Sequence, residues 1–79
     1  MTLKVISAEK VIFDGAVSLV TLPGAAGLFT VLENHASLVS VLTRGNLEYQ
    51  ESEGAVRQTM EIAGGIVDVD SNIVSVCIY

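Results

Sequence analysis

The one histidine of the sequence, His35, stands two residues from Glu33 on one side and two from Ser37 on the other. An acid, an imidazole and a hydroxyl are the parts of a nucleophilic triad, in which the imidazole takes the hydroxyl proton and the acid orients the ring. Such a relay has to be assembled in space, and residues two apart on a strand or loop co-occur commonly by chance. A loop histidine that bonds to backbone or meets a partner is the stronger reading.

The other chemical candidates fail on a required residue. Asp68-Val69-Asp70-Ser71-Asn72 opens like a calcium-binding EF-hand loop, which needs Gly at its sixth position and Glu at its twelfth. Those positions hold Ile73 and Tyr79, and the flanks read as strands, so the segment is a hairpin turn. Gly64-Gly65 could cradle a phosphate only at the start of a helix, but it runs into Ile66-Val67, another strand. A bulge or tight corner is predicted there. Gly24-Ala25-Ala26-Gly27 has the GXXG form used by RNA-binding KH domains, without their cations or helices. Glu48, Glu51 and Glu53 cluster near one hairpin, where a solvated edge fits better than an acid–base pair. Acidic carrier domains of this size modify a lysine at a hairpin tip, and the only lysines here are Lys4 and Lys10, near the start. The sequence therefore predicts no catalytic residue, no cofactor and no metal.

The elements that carry these residues are strands. Apolar residues recur at every second position between Gly, Asn and Asp, and no stretch sustains a helical period. Leu3–Ser7 is the first predicted strand and Lys10–Phe13 the second, ended by a turn at Asp14-Gly15. Val17–Leu22 follows, its apolar phase slipping between Leu19 and Val20, which predicts burial on both faces or a bulge. Pro23-Gly24 is predicted to turn the chain into Leu28–Leu32. Glu33-Asn34-His35 is a loop, Leu38–Leu42 a strand and Thr43-Arg44-Gly45-Asn46 a turn. Leu47–Gln50 leads to a polar tip at Glu51-Ser52-Glu53-Gly54, and Val56, Gln58, Met60 and Ile62 share one face of the next strand. Ile66–Val69 and Ile73–Ile78 close the chain around Asp70-Ser71-Asn72. The prediction is one all-β domain over residues 1–79, a β-sandwich or flattened barrel of about nine to ten short, mostly antiparallel strands.

Composition narrows the function classes. A chain of 79 residues buries only about 60% of its unfolded surface, yet 51% of its residues are hydrophobic. Some apolar surface must stay exposed, and such patches on small domains mark interaction sites. The single cysteine, Cys77, excludes an internal disulfide, and its apolar neighbours predict a reduced, buried thiol. With four Lys and Arg and a net charge of −5, the chain lacks the cation cluster that nucleic acid or an anionic membrane would demand. Gly15–Leu32 carries no charge, but Pro23, Gly24 and Gly27 at its centre forbid a membrane-spanning helix. Met1-Thr2-Leu3-Lys4 lacks the pattern of a signal peptide.

Several segments, in order, resemble the epsilon subunit of F-type ATP synthases. They are Leu3–Lys10 with Phe13-Asp14-Gly15, then Leu22–Leu38, then Leu42-Thr43-Arg44-Gly45, and lastly Ala63–Val69 with Asn72–Val76. The resemblance spans nearly the whole chain and implies a β-sandwich of about ten strands. It implies a non-catalytic central-stalk subunit, bound to the gamma subunit and resting on the ring of c subunits. Such a part couples proton-driven rotation to ATP synthesis carried out elsewhere. It also implies a peripheral place at the cytoplasmic face of the bacterial inner membrane. Carried over by position, Gly27, Leu28, Phe29, Thr30 and Val31, with Asn34 and His35, should face the c ring. Gly permits close approach there, Leu28 and Phe29 offer apolar anchors, and Val31 could equally fill the core. Glu33-Asn34 stands where the family usually has Pro-Gly, so a turn of different shape is expected. The family also continues into a C-terminal helical hairpin, whereas this sequence stops at Tyr79. No nucleotide site and no hairpin-type brake are therefore expected. The competing reading is a free-standing sandwich adaptor that binds another protein through the same loop.

Overall fold

The computed structural model describes residues 1–79 as nine strands and no helix. In chain order they are β1 (Thr2–Ile6), β2 (Val11–Ala16), β3 (Leu19–Gly24), β4 (Gly27–Leu32), β5 (Leu38–Leu42), β6 (Gly45–Gln50), β7 (Gln58–Ile62), β8 (Gly65–Asp70) and β9 (Ile73–Ile78). Hydrogen bonds link them in the order β2-β1-β9-β8-β5-β3-β6-β7, with β4 on the other edge of β3. The result is a curled sheet with two layers, β2-β1-β9-β8-β5 and β4-β3-β6-β7. All pairings are antiparallel except β1 with β9.

The two-residue period of the strands decides what lies between the layers. Leu3 and Val5, Val67 and Val69, and Val74 and Val76 line the inner face of the first layer. Val20, Leu22, Val31, Leu47 and Ile62 line the inner face of the second. These side chains, with Val17 and Leu42, form one continuous core. β-Branched residues dominate it, which suits a pleated surface packed on one side. The Phe13 and Tyr49 rings, with centroids 4.4 Å apart, close the side where β2 faces β6.

At the opposite side the layers are joined by backbone. β3 pairs with β6 through Leu19–Thr21, and its last residue, Gly24, pairs with Leu42 of β5. A Cβ at Gly24 would lie 2.8 Å from the Gly27 carbonyl oxygen and 2.9 Å from the Phe29 ring, so the corner is closed only by glycine.

Four expectations need correction. Asp14-Gly15 is no turn: β2 runs on to Ala16, with Gly15 opposite Leu3 and the Phe13 ring occupying the space a side chain would need. Pro23-Gly24 likewise stays in strand, and the reversal falls on Ala25-Ala26. β6 starts at Gly45 rather than after Asn46, leaving Thr43-Arg44 as the bend. Cys77 is exposed. In an almost uniformly apolar strand the phase is unreadable, and the register that turns Val74 and Val76 inward turns Ser75 and Cys77 outward. The slip at Leu19 and Val20 needs no bulge: β3 and β4 pair continuously, with Val20 buried and Leu19 half-buried on the outer face.

Two substitutions test this packing. Leu22→Ala, at a fully buried site, should cost about 2–5 kcal/mol. Gly65→Ala should cost at least about 3 kcal/mol, the upper end of overpacking, because its Cβ would lie 2.2 Å from the Cys77 carbonyl oxygen. Gly54→Ala meets no neighbour and suffers only from its φ of 82°, for about 1 kcal/mol. Urea unfolding of the three variants gives the ranking.

Candidate docking surfaces

β4 runs the full height of its layer, so the residues it carries are spread between the two ends of the domain. Five steps along an extended strand separate Gly27 from Leu32 by about 17 Å. The end at Gly27 is built from the Ala25-Ala26 turn and the Thr43-Arg44 bend. The Ala25 amide donates to the Val41 carbonyl and the Thr43 amide to the Pro23 carbonyl, each at 2.9 Å, which locks the two connections together. Leu28 projects from this end, 73% exposed. It borders a shallow polar depression lined by Gly27, Thr43, Arg44, Asn46 and Glu48. Gly27 has a φ of 131°, which a larger residue adopts poorly, so the close turn requires it.

The opposite end carries the Glu33–Ser37 loop. Glu33 accepts from the N-terminal ammonium at 2.6 Å through Oε1 and from Asn72 Nδ2 at 2.9 Å through Oε2. Both bonds favour the ionised carboxyl, the ammonium most, and hold its pKa below the ordinary 4.5. Asn34 adopts a left-handed φ of 60° and donates its amide to Asn72 Oδ1 at 2.7 Å. Ser37 Oγ donates to Asp70 Oδ1 at 2.8 Å, and His35 Nδ1 donates to the Ala36 carbonyl at 2.7 Å. Glu33, His35 and Ser37 are thus each bonded elsewhere and form no relay with one another. His35 stands instead at the mouth of a cleft between β4 and β5 lined by Phe29, Leu38, Val39 and Ser40.

The seven residues expected on one interface therefore divide. Gly27 and Leu28 belong to one end, and Asn34 and His35 to the other. Phe29 turns inward, half-buried against the core and over Gly24. Thr30 faces outward, with its hydroxyl 3.0 Å from that of Thr21 on β3. Val31 is 0% exposed, so its side chain meets the core and no partner.

A second apolar surface went unread in the sequence. On the outer face of the first layer, Val41 pairs with Ile66, Ile66 with Cys77, Cys77 with Ile6, and Ile6 with Val11. These five residues make an apolar stripe across five strands, about 19 Å long at ordinary strand spacing. Val11 and Val41 are more than half exposed and Ile66 is 49% exposed. Ile6, Ile66 and Cys77, with Val76, also line a shallow groove there. The next row, Val39–Asp68–Ser75–Lys4–Asp14, is mostly polar. The signal was available as outward residues of strands that were individually predicted, but alignment across strands depends on register.

Comparison with known proteins gives a consistent result. The sequence model for the β-sandwich domain of ATP synthase delta/epsilon chains matches residues 1–78. An ATP synthase epsilon chain of Leptospira borgpetersenii serovar Hardjo-bovis is 37% identical over 76 residues, 96% of this chain and 58% of that one. This chain thus spans less than two thirds of the length of that relative. Among solved structures, a chain of the Euglena gracilis mitochondrial ATP synthase, solved with OSCP, F1 and c-ring, superposes with a TM-score of 0.85. Its identity is 25%, over 96% of this chain and 48% of that one. A chain of the Tetrahymena thermophila mitochondrial ATP synthase central stalk and c-ring shares the fold, with a TM-score of 0.80 at 20% identity. That match covers 99% of this chain and 62% of its own.

Folding lowers the Glu33 pKa, so its stabilisation is complete above 4.5 and is lost as pH falls through the folded value. Glu33→Gln should therefore be less stable than the parent near pH 7, with the gap closing as pH falls below the ordinary carboxylate range. Urea midpoints measured at intervals from neutral to acidic pH give the comparison.

Proposed function

This chain belongs to the β-sandwich domain family of ATP synthase delta/epsilon chains, and on that premise we propose that it is a non-catalytic part of the rotor. It docks onto the gamma subunit and onto the ring of c subunits, and it passes proton-driven rotation between them while ATP is made elsewhere. The observation that carries this reading is the presence of two separate candidate docking surfaces on one small domain, an exposed Leu28 at the rim of a polar depression and an apolar stripe on the outer face of the first layer. A coupling that transmits torque needs two interfaces facing different ways and a stiff body between them.

The end with Gly27 and Leu28 faces the c ring. Leu28 supplies an apolar anchor at the rim of a polar depression, and Arg44 beside it supplies a cation for carbonyl or carboxylate groups of the ring. The outer stripe from Val41 to Val11, continued by Val39 and the cleft at His35, faces gamma. Thr30, on the outer face of β4 and bonded to Thr21, makes no anchor for either.

The areas involved support a bound state. Two interfaces of standard size take about 800 Å² each from this domain, roughly a third of its 4605 Å² surface. Burial on that scale stabilises the folded form by mass action. The assembly places the domain at a membrane as a peripheral component, on the cytoplasmic face in a bacterium. No helix of the chain is long and apolar enough to cross a membrane.

The test uses purified gamma subunit and detergent-solubilised c ring as separate binding partners. Leu28→Asp should weaken ring binding at least tenfold and leave gamma binding within about twofold. Val41→Asp combined with Ile66→Asp should do the reverse. Wild-type protein that binds neither partner, or variants that weaken both equally, would overturn the assignment.

A further inference from the structure

We propose that Asn72 is the positioning residue for the loop that carries His35. The loop leaves β4 at Leu32 and enters β5 at Leu38, with Asn34 in a left-handed conformation that few residues tolerate. Within the loop the His35 amide donates to the Leu32 carbonyl at 3.2 Å, which closes a local turn but leaves the Glu33 carboxyl and the Asn34 amide to partners elsewhere. Glu33 Oε1 goes to the N-terminal ammonium, and the partner of both Glu33 Oε2 and the Asn34 amide is one residue, 38 positions beyond Asn34 along the chain.

The Asn72 side chain uses both of its polar atoms on the loop. Nδ2 donates to Glu33 Oε2 at 2.9 Å, and Oδ1 accepts the Asn34 amide at 2.7 Å. The backbone that presents this amide is itself fixed. Asn72 is the second residue of a tight turn between β8 and β9, with Ser71 at φ 49° and Asn72 at φ 64°. Its carbonyl accepts the Thr2 amide at 3.0 Å. On either side of the turn, Val69 and Val74 are buried in the core. A second strut from the same turn, Asp70 Oδ1 to Ser37 Oγ, holds the far side of the loop. The hairpin thus acts as a rigid template, and the loop is cast against it.

Three demands fall on position 72 together: a left-handed backbone, a side-chain donor and a side-chain acceptor, all on a short arm. Glycine meets only the first, and aspartate offers no donor to the Glu33 carboxylate. Glutamine reaches too far and disfavours the left-handed region. Asparagine satisfies all three. The Glu33-Asn34 sequence of the loop fits the same device, since Glu33 supplies the acceptor and Asn34 tolerates its own positive φ.

The consequence for docking rests on the gamma reading of the His35 cleft, and the experiment separates the two. In the full chain, Asn72→Gly keeps the turn and removes the amide. Hydrogen exchange at the Asn34 and His35 amides should accelerate about tenfold or more, while exchange in β8 and β9 stays as in the parent. Affinity for purified gamma should fall about threefold to tenfold. Asn72→Asp alone should behave similarly, because two carboxylates then face each other. Asn72→Asp combined with Glu33→Gln swaps donor and acceptor: the new amide at position 33 donates to the new carboxylate, which still accepts from Asn34. This double variant should restore slow exchange, which a merely local effect on the turn would not produce. Unchanged exchange in Asn72→Gly, or no recovery in the double variant, would overturn the positioning role. Faster exchange with undiminished gamma affinity would support that role and sink the gamma assignment of the cleft.

Discussion

The fold depends on one close approach of backbone to backbone, where Gly24 meets Leu42 and the sheet turns from its second layer into its first. No other residue pair carries the hydrogen-bonded ladder between the layers. The corner needs a residue without a side chain, since Phe29 and the Gly27 carbonyl already fill the space above Gly24. Once it is made, β3 is shared between β6 at one end and β5 at the other, and the two inner faces must confront each other. The same corner ties the Ala25-Ala26 turn to the Thr43-Arg44 bend through two short amide bonds. Stiffness at the end that carries Leu28 is therefore inherited from the way the sandwich closes. The opposite side closes differently, through the Phe13 and Tyr49 rings, with no backbone bond between β2 and β6.

Strands bounded by unambiguous loops were readable to the residue. Leu38–Leu42 and Ile73–Ile78 coincide with β5 and β9, because polar residues flank both and no glycine interrupts them. Asp14-Gly15 and Pro23-Gly24 misled for a shared reason. Each is good turn chemistry locally, but each glycine sits under an aromatic ring, Phe13 two residues back on the same strand for Gly15 and Phe29 of the neighbouring strand for Gly24, and strand pairing outweighs the local preference. Cys77 was misplaced because a strand with one polar residue in six gives its phase away only through its neighbours.

The docking surfaces were legible in kind and illegible in arrangement. Exposed apolar residues were foreseeable from a chain with more hydrophobic side chains than a core this small can hold. That Leu28 and His35 occupy opposite ends follows from β4 spanning the layer, which no local pattern announces. The stripe from Val41 to Val11 exists only through four separate registers. Asn72 read as an ordinary hairpin residue, because nothing in the chain between residues 33 and 72 links the two positions.

The parallel pairing of β1 with β9 sets the order of events during synthesis. Thr2 lies beside Ile73, 71 positions later (73 − 2), and the two strands are the spine of the first layer, with β2 on one flank and β8 on the other. A nascent chain that has emerged only as far as β8 can form the β1–β2, β3–β4 and β6–β7 hairpins and pair β5 with β8, but the β1–β2 hairpin has no strand to attach to. The first layer then waits for the last strand to clear the ribosome. Closing so long a loop makes folding slow relative to domains built from neighbouring segments. Until then, the apolar inner faces of both layers are open to water and to whatever holds unfinished chains in solution.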